Sequence, residues 1–204
     1  MILDKEIYVI DDFIDAEYQK DIKNILMGDY QYREKDFPWY YTEDVTGAGD
    51  PDSQHRTALG HDYVVMDDED NPTGERISIF HYLFLPMLKN VCREMKIKNI
   101  NVLQGRSFLQ FPLNLKDLTV DTPHIDLHSR KHLVALYYVC DSDGDTIIYN
   151  EREDKGEKAE SYTIKERVTP KQGRMVIFDG TLYHTAEQPQ DNIRCVVNYD
   201  LELS

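Results

Sequence analysis

The sequence predicts a mainly β protein: a sandwich or barrel of antiparallel strands, with N-terminal helices packed outside one sheet. Three observations predict it. Eight short apolar or alternating runs follow residue 98, at 100–103, 106–111, 124–128, 132–139, 145–149, 161–165, 174–178 and 193–200. Turn-rich pieces such as CDSDGD (140–145) and REDKGEK (152–158) separate them, and no helical stretch intervenes, which argues against βαβ units. Helical periodicity is confined to the N-terminal half.

Taken in order, residues 7–10 (IYVI) read as a short strand stopped by Asp11 and Asp12. Asp15 is placed to cap a helix over 16–27, whose apolar stripe is Tyr18, Ile22, Ile25 and Leu26. Residues 28–74 are the least regular third. They hold Gly47, Gly49, Pro51, Pro72 and Gly74, a candidate strand at 62–66, and an acidic run (67–70) that reads as a solvated turn. The aromatic segment Phe37–Tyr41 suits either a substrate mouth or the core. A helix is expected over 76–95, with Ile77, Phe80, Phe84, Leu88, Val91 and Met95 as its core stripe and Pro86 kinking or splitting it.

A chain of 204 residues suits one domain, read as an N-terminal supporting part (1–97) and a β core (98–204). The formal charge is −15, a field that repels phosphate, so neither nucleic acid nor an anionic membrane is the expected partner. Three widely spaced cysteines, with no CxxC pair, argue against a disulfide framework and for a reducing compartment. The N-terminal segment lacks the apolar core of a signal peptide, and no stretch approaches eighteen apolar residues. A cytoplasmic setting is therefore expected; the oligomeric state is left open.

The chemistry-bearing segment is Pro123-His124-Ile125-Asp126-Leu127-His128. On a strand, residues two apart share a face, so His124 and Asp126 point one way while Ile125 and Leu127 point the other. Both can reach one metal ion, and His184, beyond the strand 174–178 and the Asp179-Gly180 turn, is the candidate third ligand. Two histidines and a carboxylate on one octahedral face leave three positions open, the facial triad of non-haem iron(II) oxygenases. Arg194 lies ten residues after His184 in the final strand, IRCVVNY. An interior guanidinium needs a partner, and a dicarboxylate cosubstrate provides one. On the strand 106–111, Arg106, Phe108 and Gln110 share a face that suits cosubstrate or substrate contacts, or else solvent. Asn198 shares the face of Arg194. His128 is a pocket-rim or surface residue; His55, His61, His81 and His132 read as structural or exposed. Asp179 either orients His184 or shapes the turn before it.

At these residues the chain resembles the iron(II)- and 2-oxoglutarate-dependent dioxygenases, in particular the prolyl 4-hydroxylase-like branch. The resemblance covers 98–200 and rests on HID (124–126), His184, Arg194 ten residues later, the segment GRMVIFDGTLYHTAEQP and the tyrosine strand ALYYVC. It implies a double-stranded β-helix, or jelly roll, with iron held by His124, Asp126 and His184. It implies that Arg194 holds the distal carboxylate of 2-oxoglutarate, helped by Tyr137, with Tyr138 facing away; Gln110 and Arg106 are further candidate cofactor contacts. The family's turn over the site carries a second glycine where this chain has Asp145, so a differently shaped turn is expected. The implied reaction consumes O2, with ascorbate as a candidate reductant. It couples decarboxylation of 2-oxoglutarate to succinate and CO2 with hydroxylation of an unactivated C–H bond. The expected substrate is a prolyl or other residue of a peptide or protein. The alternatives are a free amino acid or other small metabolite, and a non-catalytic metal-binding jelly roll.

Overall fold

The computed structural model describes residues 5–28, 37–45, 56–66, 72–113, 120–128, 130–152 and 161–203. The acidic run 67–70, the glycines at 47 and 49, Pro51 and His55 lie outside them. Strand β1 (Ile7–Ile10) and helix α1 (Ala16–Met27) fall where the sequence places them. The Asp15 carboxylate accepts the Tyr18 N–H at 3.0 Å, satisfying one of the amides that the first helical turn leaves without a partner. Ile22 and Leu26 are fully covered.

The expected single helix over 76–95 is instead three pieces. Residues up to 76 belong to strand β4 (Pro72–Arg76), a 3-10 helix runs from Ile79 to Phe84, and α2 runs from Leu85 to Glu94. Pro86 lies in the first turn of α2, where its missing N–H costs nothing, so it opens a helix here rather than kinking one. The stripe breaks with it: Phe84, Leu88, Val91 and Met95 are buried, but Ile77 is 56% exposed.

The remaining strands are β2 (Tyr40–Thr42), β3 (Ala58–Met66), β5 (Ile100–Gln110), β6 (Leu133–Tyr138), β7 (Thr146–Arg152), β8 (Ile164–Val168), β9 (Met175–Asp179), β10 (Leu182–Ala186) and β11 (Arg194–Leu203). The two runs expected at 100–103 and 106–111 are one strand, and β2, β4 and β10 were not expected. Every pairing is antiparallel. Eight strands form one sheet in the order β1-β9-β6-β11-β5-β3-β2, with β4 also paired to β3; β10-β7-β8 form the second. The N-terminal half therefore contributes four strands to the larger sheet as well as its helices. This is a mainly β fold of two sheets with N-terminal helices, the double-stranded β-helix architecture.

Alternate residues of the larger sheet serve two environments. On one face Tyr137, Cys195, Val197 and Tyr199 join Phe84, Val91, Ile22 and Leu26 in a core beneath the helices. Phe37 and Trp39 join this side too, the Trp39 indole donating to the Leu26 carbonyl at 2.9 Å, while Tyr40 and Tyr41 are exposed. On the other face Val134, Leu136, Tyr138, Val176, Phe178 and Val196 meet Ile148, Val168 and Leu182 of the smaller sheet. His61 and His81 are structural: His61 Nε2 lies 2.8 Å from Ser78 Oγ, and His81 Nδ1 lies 3.1 Å from Tyr199 Oη. Among the described residues no helix is long and apolar enough to cross a membrane.

Candidate metal centre and anion pocket

The segment 124–128 is not a strand, contrary to the expectation from its alternation. Its one pairing is an isolated bridge between His124 and His184, with N–H to carbonyl bonds of 2.9 and 3.0 Å in the two directions. Asp126 lies in a bend beyond it. Ile125 still points away, packing with Ile147, Tyr149 and Tyr183 on the outer side of the smaller sheet, so His124 and Asp126 turn inward. Thr185 Oγ1 donates to the Asp121 carbonyl at 2.7 Å and ties β10 to the same segment. His128 is exposed and does not line the cavity between the sheets.

His124, Asp126 and His184 each offer a ligand atom, and these lie within 4.8 Å of one another. The Asp126 oxygens are 3.7 Å from His124 Nε2 and 3.4 Å from His184 Nε2. Burial, together with the neighbouring His184, pushes His124 down to about 4. Burial alone would raise the Asp126 carboxyl, but the Arg106 guanidinium and the His184 ring outweigh it and hold the acid well below its usual range. At neutral pH the cluster thus offers a neutral His124 imidazole and a carboxylate, the protonation states a cation requires. The donor set fits a divalent metal of intermediate hardness.

Cross-strand register builds the rest. Arg194 lies opposite Gln110, Val196 opposite Phe108 and Tyr138, and Asn198 opposite Arg106 and Leu136. All eight line or border one cavity of about 80 Å3 whose other end is the histidine–aspartate cluster. Arg194 is 5% exposed. It donates to the Gly144 carbonyl at 3.0 Å, Gln110 Oε1 at 2.7 Å and Thr146 Oγ1 at 2.9 Å. All three acceptors are neutral, and a guanidinium has five N–H groups, so these three bonds do not exhaust its donors. Gly144 is obligatory. A Cβ there would lie 2.7 Å from the Glu187 carbonyl oxygen and 3.1 Å from Arg194 Cδ. Asp145 does not require a second glycine, since its φ is not positive; its carbonyl accepts from Glu187 N at 2.7 Å.

Two expectations are corrected here. Tyr138, not Tyr137, faces this cavity: its hydroxyl donates to Thr146 Oγ1 at 2.7 Å, and its ring lies 5.9 Å from the Arg194 guanidinium carbon. Tyr137 is turned to the helix side, where its buried hydroxyl has no partner among the described residues. Arg106 is placed at the metal end rather than beside Arg194, and pairs with Asp126. Gln110 touches Arg194 itself. Asp179 shapes its turn: its carboxylate accepts from Thr181 N at 3.0 Å and Arg152 Nη1 at 2.7 Å. Thr146 and Asp200 were not anticipated. Burial and the nearby Asp126 push the Asp200 carboxyl well up. Its even spacing from Arg194 was a signal that could have found it.

No protein-family model and no curated protein matches the sequence. Solved structures do match the fold. An oxidoreductase of the 2OG-Fe(II) oxygenase family from Burkholderia pseudomallei aligns with a TM-score of 0.66 at 12% identity, over 97% of this chain and 85% of that one. The carbocyclase SnoK from nogalamycin biosynthesis, described as non-haem and alpha-ketoglutarate-dependent, gives 0.61 at 13% identity, over 97% and 79%. The viral collagen prolyl hydroxylase of Paramecium Bursaria Chlorella virus-1 gives 0.54 at 11% identity, over 98% of each chain. The chain therefore has the fold of the Fe(II)/2-oxoglutarate oxygenases. Within that fold it carries a two-histidine, one-carboxylate cluster.

Proposed function

We propose that the protein is an Fe(II)- and 2-oxoglutarate-dependent oxygenase. One observation carries the reading: a buried guanidinium whose acceptors among the described residues are all neutral closes one end of a cavity whose other end is a His-Asp-His cluster. A desolvated cation without an anion is costly, and a carboxylate entering the cavity relieves it. A structural metal alone has no use for such an anchor.

His124, Asp126 and His184 would hold the iron, which when bound would supply the oxygen and redox chemistry. A divalent ion held there by one carboxylate and two imidazole nitrogens would carry a net charge near +1, which would favour a dianionic oxoacid. The remaining N–H donors of Arg194 would take its distal carboxylate, and Thr146, held by Tyr138, borders the same place. Val134, Leu136, Phe178 and Val196 form apolar walls that exclude water. Substrate then enters beside the cluster, where Val45 and Asp121 complete the lining.

The substrate we favour is a free small molecule hydroxylated at an unactivated C–H bond. The small cavity supports it, as does the likeness to SnoK. The match to the viral collagen prolyl hydroxylase over 98% of each chain supports a second reading, a prolyl or other residue of a peptide. The test is succinate formation from 2-oxoglutarate under air with Fe(II) and ascorbate, screened against free amino acids, other small metabolites and proline-containing peptides. Iron-dependent succinate that rises with a small molecule is expected. A rise with peptides alone selects the second reading, and failure to bind 2-oxoglutarate at all overturns both.

A further inference from the structure

Resting on the metal-centre reading above, we propose that Arg106 is the positioning residue that holds the Asp126 carboxylate in place for metal binding. The three cluster residues are not fixed in the same way. His184 belongs to β10, and His124 is locked to it by two reciprocal backbone bonds of 2.9 and 3.0 Å. Asp126 belongs to no strand. Nothing in its own backbone sets its side chain, although that side chain is 2% exposed.

The larger sheet sets it instead. Asp126 Oδ1 accepts from Arg106 Nη2, and Oδ2 accepts from Asn198 Nδ2 at 3.3 Å. Arg106 and Asn198 are direct cross-strand partners on β5 and β11, so the two donors form one rigid platform. Arg106 is itself held. With its amide turned to suit, Gln104 accepts from Arg106 Nη1 at 3.2 Å and donates to Asp200 Oδ2 at 3.2 Å. The guanidinium carbon lies 5.5 Å from the centre of the Phe108 ring. The clamped carboxylate faces both imidazoles, with Oδ1 3.7 Å from His124 Nε2 and Oδ2 3.4 Å from His184 Nε2. Arg106 therefore fixes where the ligand oxygens stand without itself belonging to the ligand set.

The sign of one measurement separates positioning from simple charge. A cation beside a metal repels it, so if charge alone mattered, removing Arg106 would tighten metal binding. Positioning predicts the reverse. Metal-free full-length protein is titrated with Co(II) alone, followed by calorimetry and by the visible ligand-field spectrum. Arg106→Gln is expected to bind Co(II) about 10–100-fold more weakly, the usual cost of losing an outer partner of a ligand, with an altered spectrum. Arg106→Lys, which keeps a charged donor, is expected to restore most of the affinity and the wild-type spectrum. Asn198→Ala removes the neutral half of the clamp and is expected to cost about 3–10-fold, so it carries the test if Arg106→Gln does not fold. Unchanged or tighter Co(II) binding in Arg106→Gln, or wild-type affinity and spectrum in Asn198→Ala, overturns the proposal. Wild-type protein that fails to bind Co(II) overturns the metal reading and this inference with it.

Discussion

The two faces of the larger sheet are made by the same strands and do opposite work. On the helix side, Tyr63, Tyr137 and Tyr199 of the sheet pack with Phe84 of the 3-10 helix and with α1 and α2, and the side is dominated by apolar and aromatic contacts. On the cavity side, one residue along, stand Arg106, Gln110, Arg194 and Asn198, charged or amide groups that a fold built for stability alone would replace. The lesson is a division of labour by parity: odd positions of β11 hold the molecule together, and even positions hold its chemistry.

The largest expected effect falls on the cavity face. Asp126→Ala should abolish iron-dependent succinate formation and weaken Co(II) binding by orders of magnitude; normal turnover would show the ligand assignment to be wrong. Next come two substitutions on opposite sides of the larger sheet. Phe84→Ala should lower the unfolding free energy by about 3–5 kcal/mol in urea titration, while KM for 2-oxoglutarate stays as it was. Arg194→Met should do the reverse. KM for 2-oxoglutarate should rise at least about 100-fold, while stability holds or improves, because an apolar group replaces a desolvated cation. If either variant showed the other's phenotype, the division by face would fail.

A smaller contrast is the tyrosine pair. Tyr138→Phe should raise KM for 2-oxoglutarate about 3–10-fold, through the lost bond to Thr146. Tyr137→Phe should leave KM alone and be neutral or slightly stabilising, since the hydroxyl it removes is buried without a partner among the described residues. The smallest effect is on pH dependence. His124 is depressed from 6.5 to about 4 in the folded protein, and burial also lowers His132 and His81. Between those values the unfolded chain binds a proton that folded His124 refuses, so metal-free stability falls as pH drops from about 6.5 towards 4. His124→Asn should flatten that part of a pH series of urea midpoints.

Legibility followed how local each cause was. Helix α1 was readable to the residue because an Asp cap and a four-residue stripe are local signals. The residues of the cluster were readable because HxD and a distal histidine are chemical patterns, but their geometry was not. Segment 124–128 alternates as a strand does, yet after His124 it finds no edge to pair with. The tyrosine parity failed for a different reason. All six residues of β6 are buried, so no polar alternation marks which face is which, and a one-residue slip exchanges every side chain. Strands β2 and β4 lie in turn-rich sequence and are three and five residues long, too short for a period to show. The Arg106–Asp126 pair joins residues twenty apart, one on β5 and one in a bend outside every strand, so no local pattern announces it.

The glycine at 144 has a consequence for how this chain can be varied. The carbonyl it presents to Arg194 and the backbone it lies against leave no room for even a methyl group. In a saturation library scored for oxoacid-dependent growth or turnover, that position should return its original codon family alone, although it sits on a turn where sequences ordinarily drift most freely. An engineer seeking to retune the cosubstrate end must therefore work through the neighbours of that turn and leave the turn itself untouched.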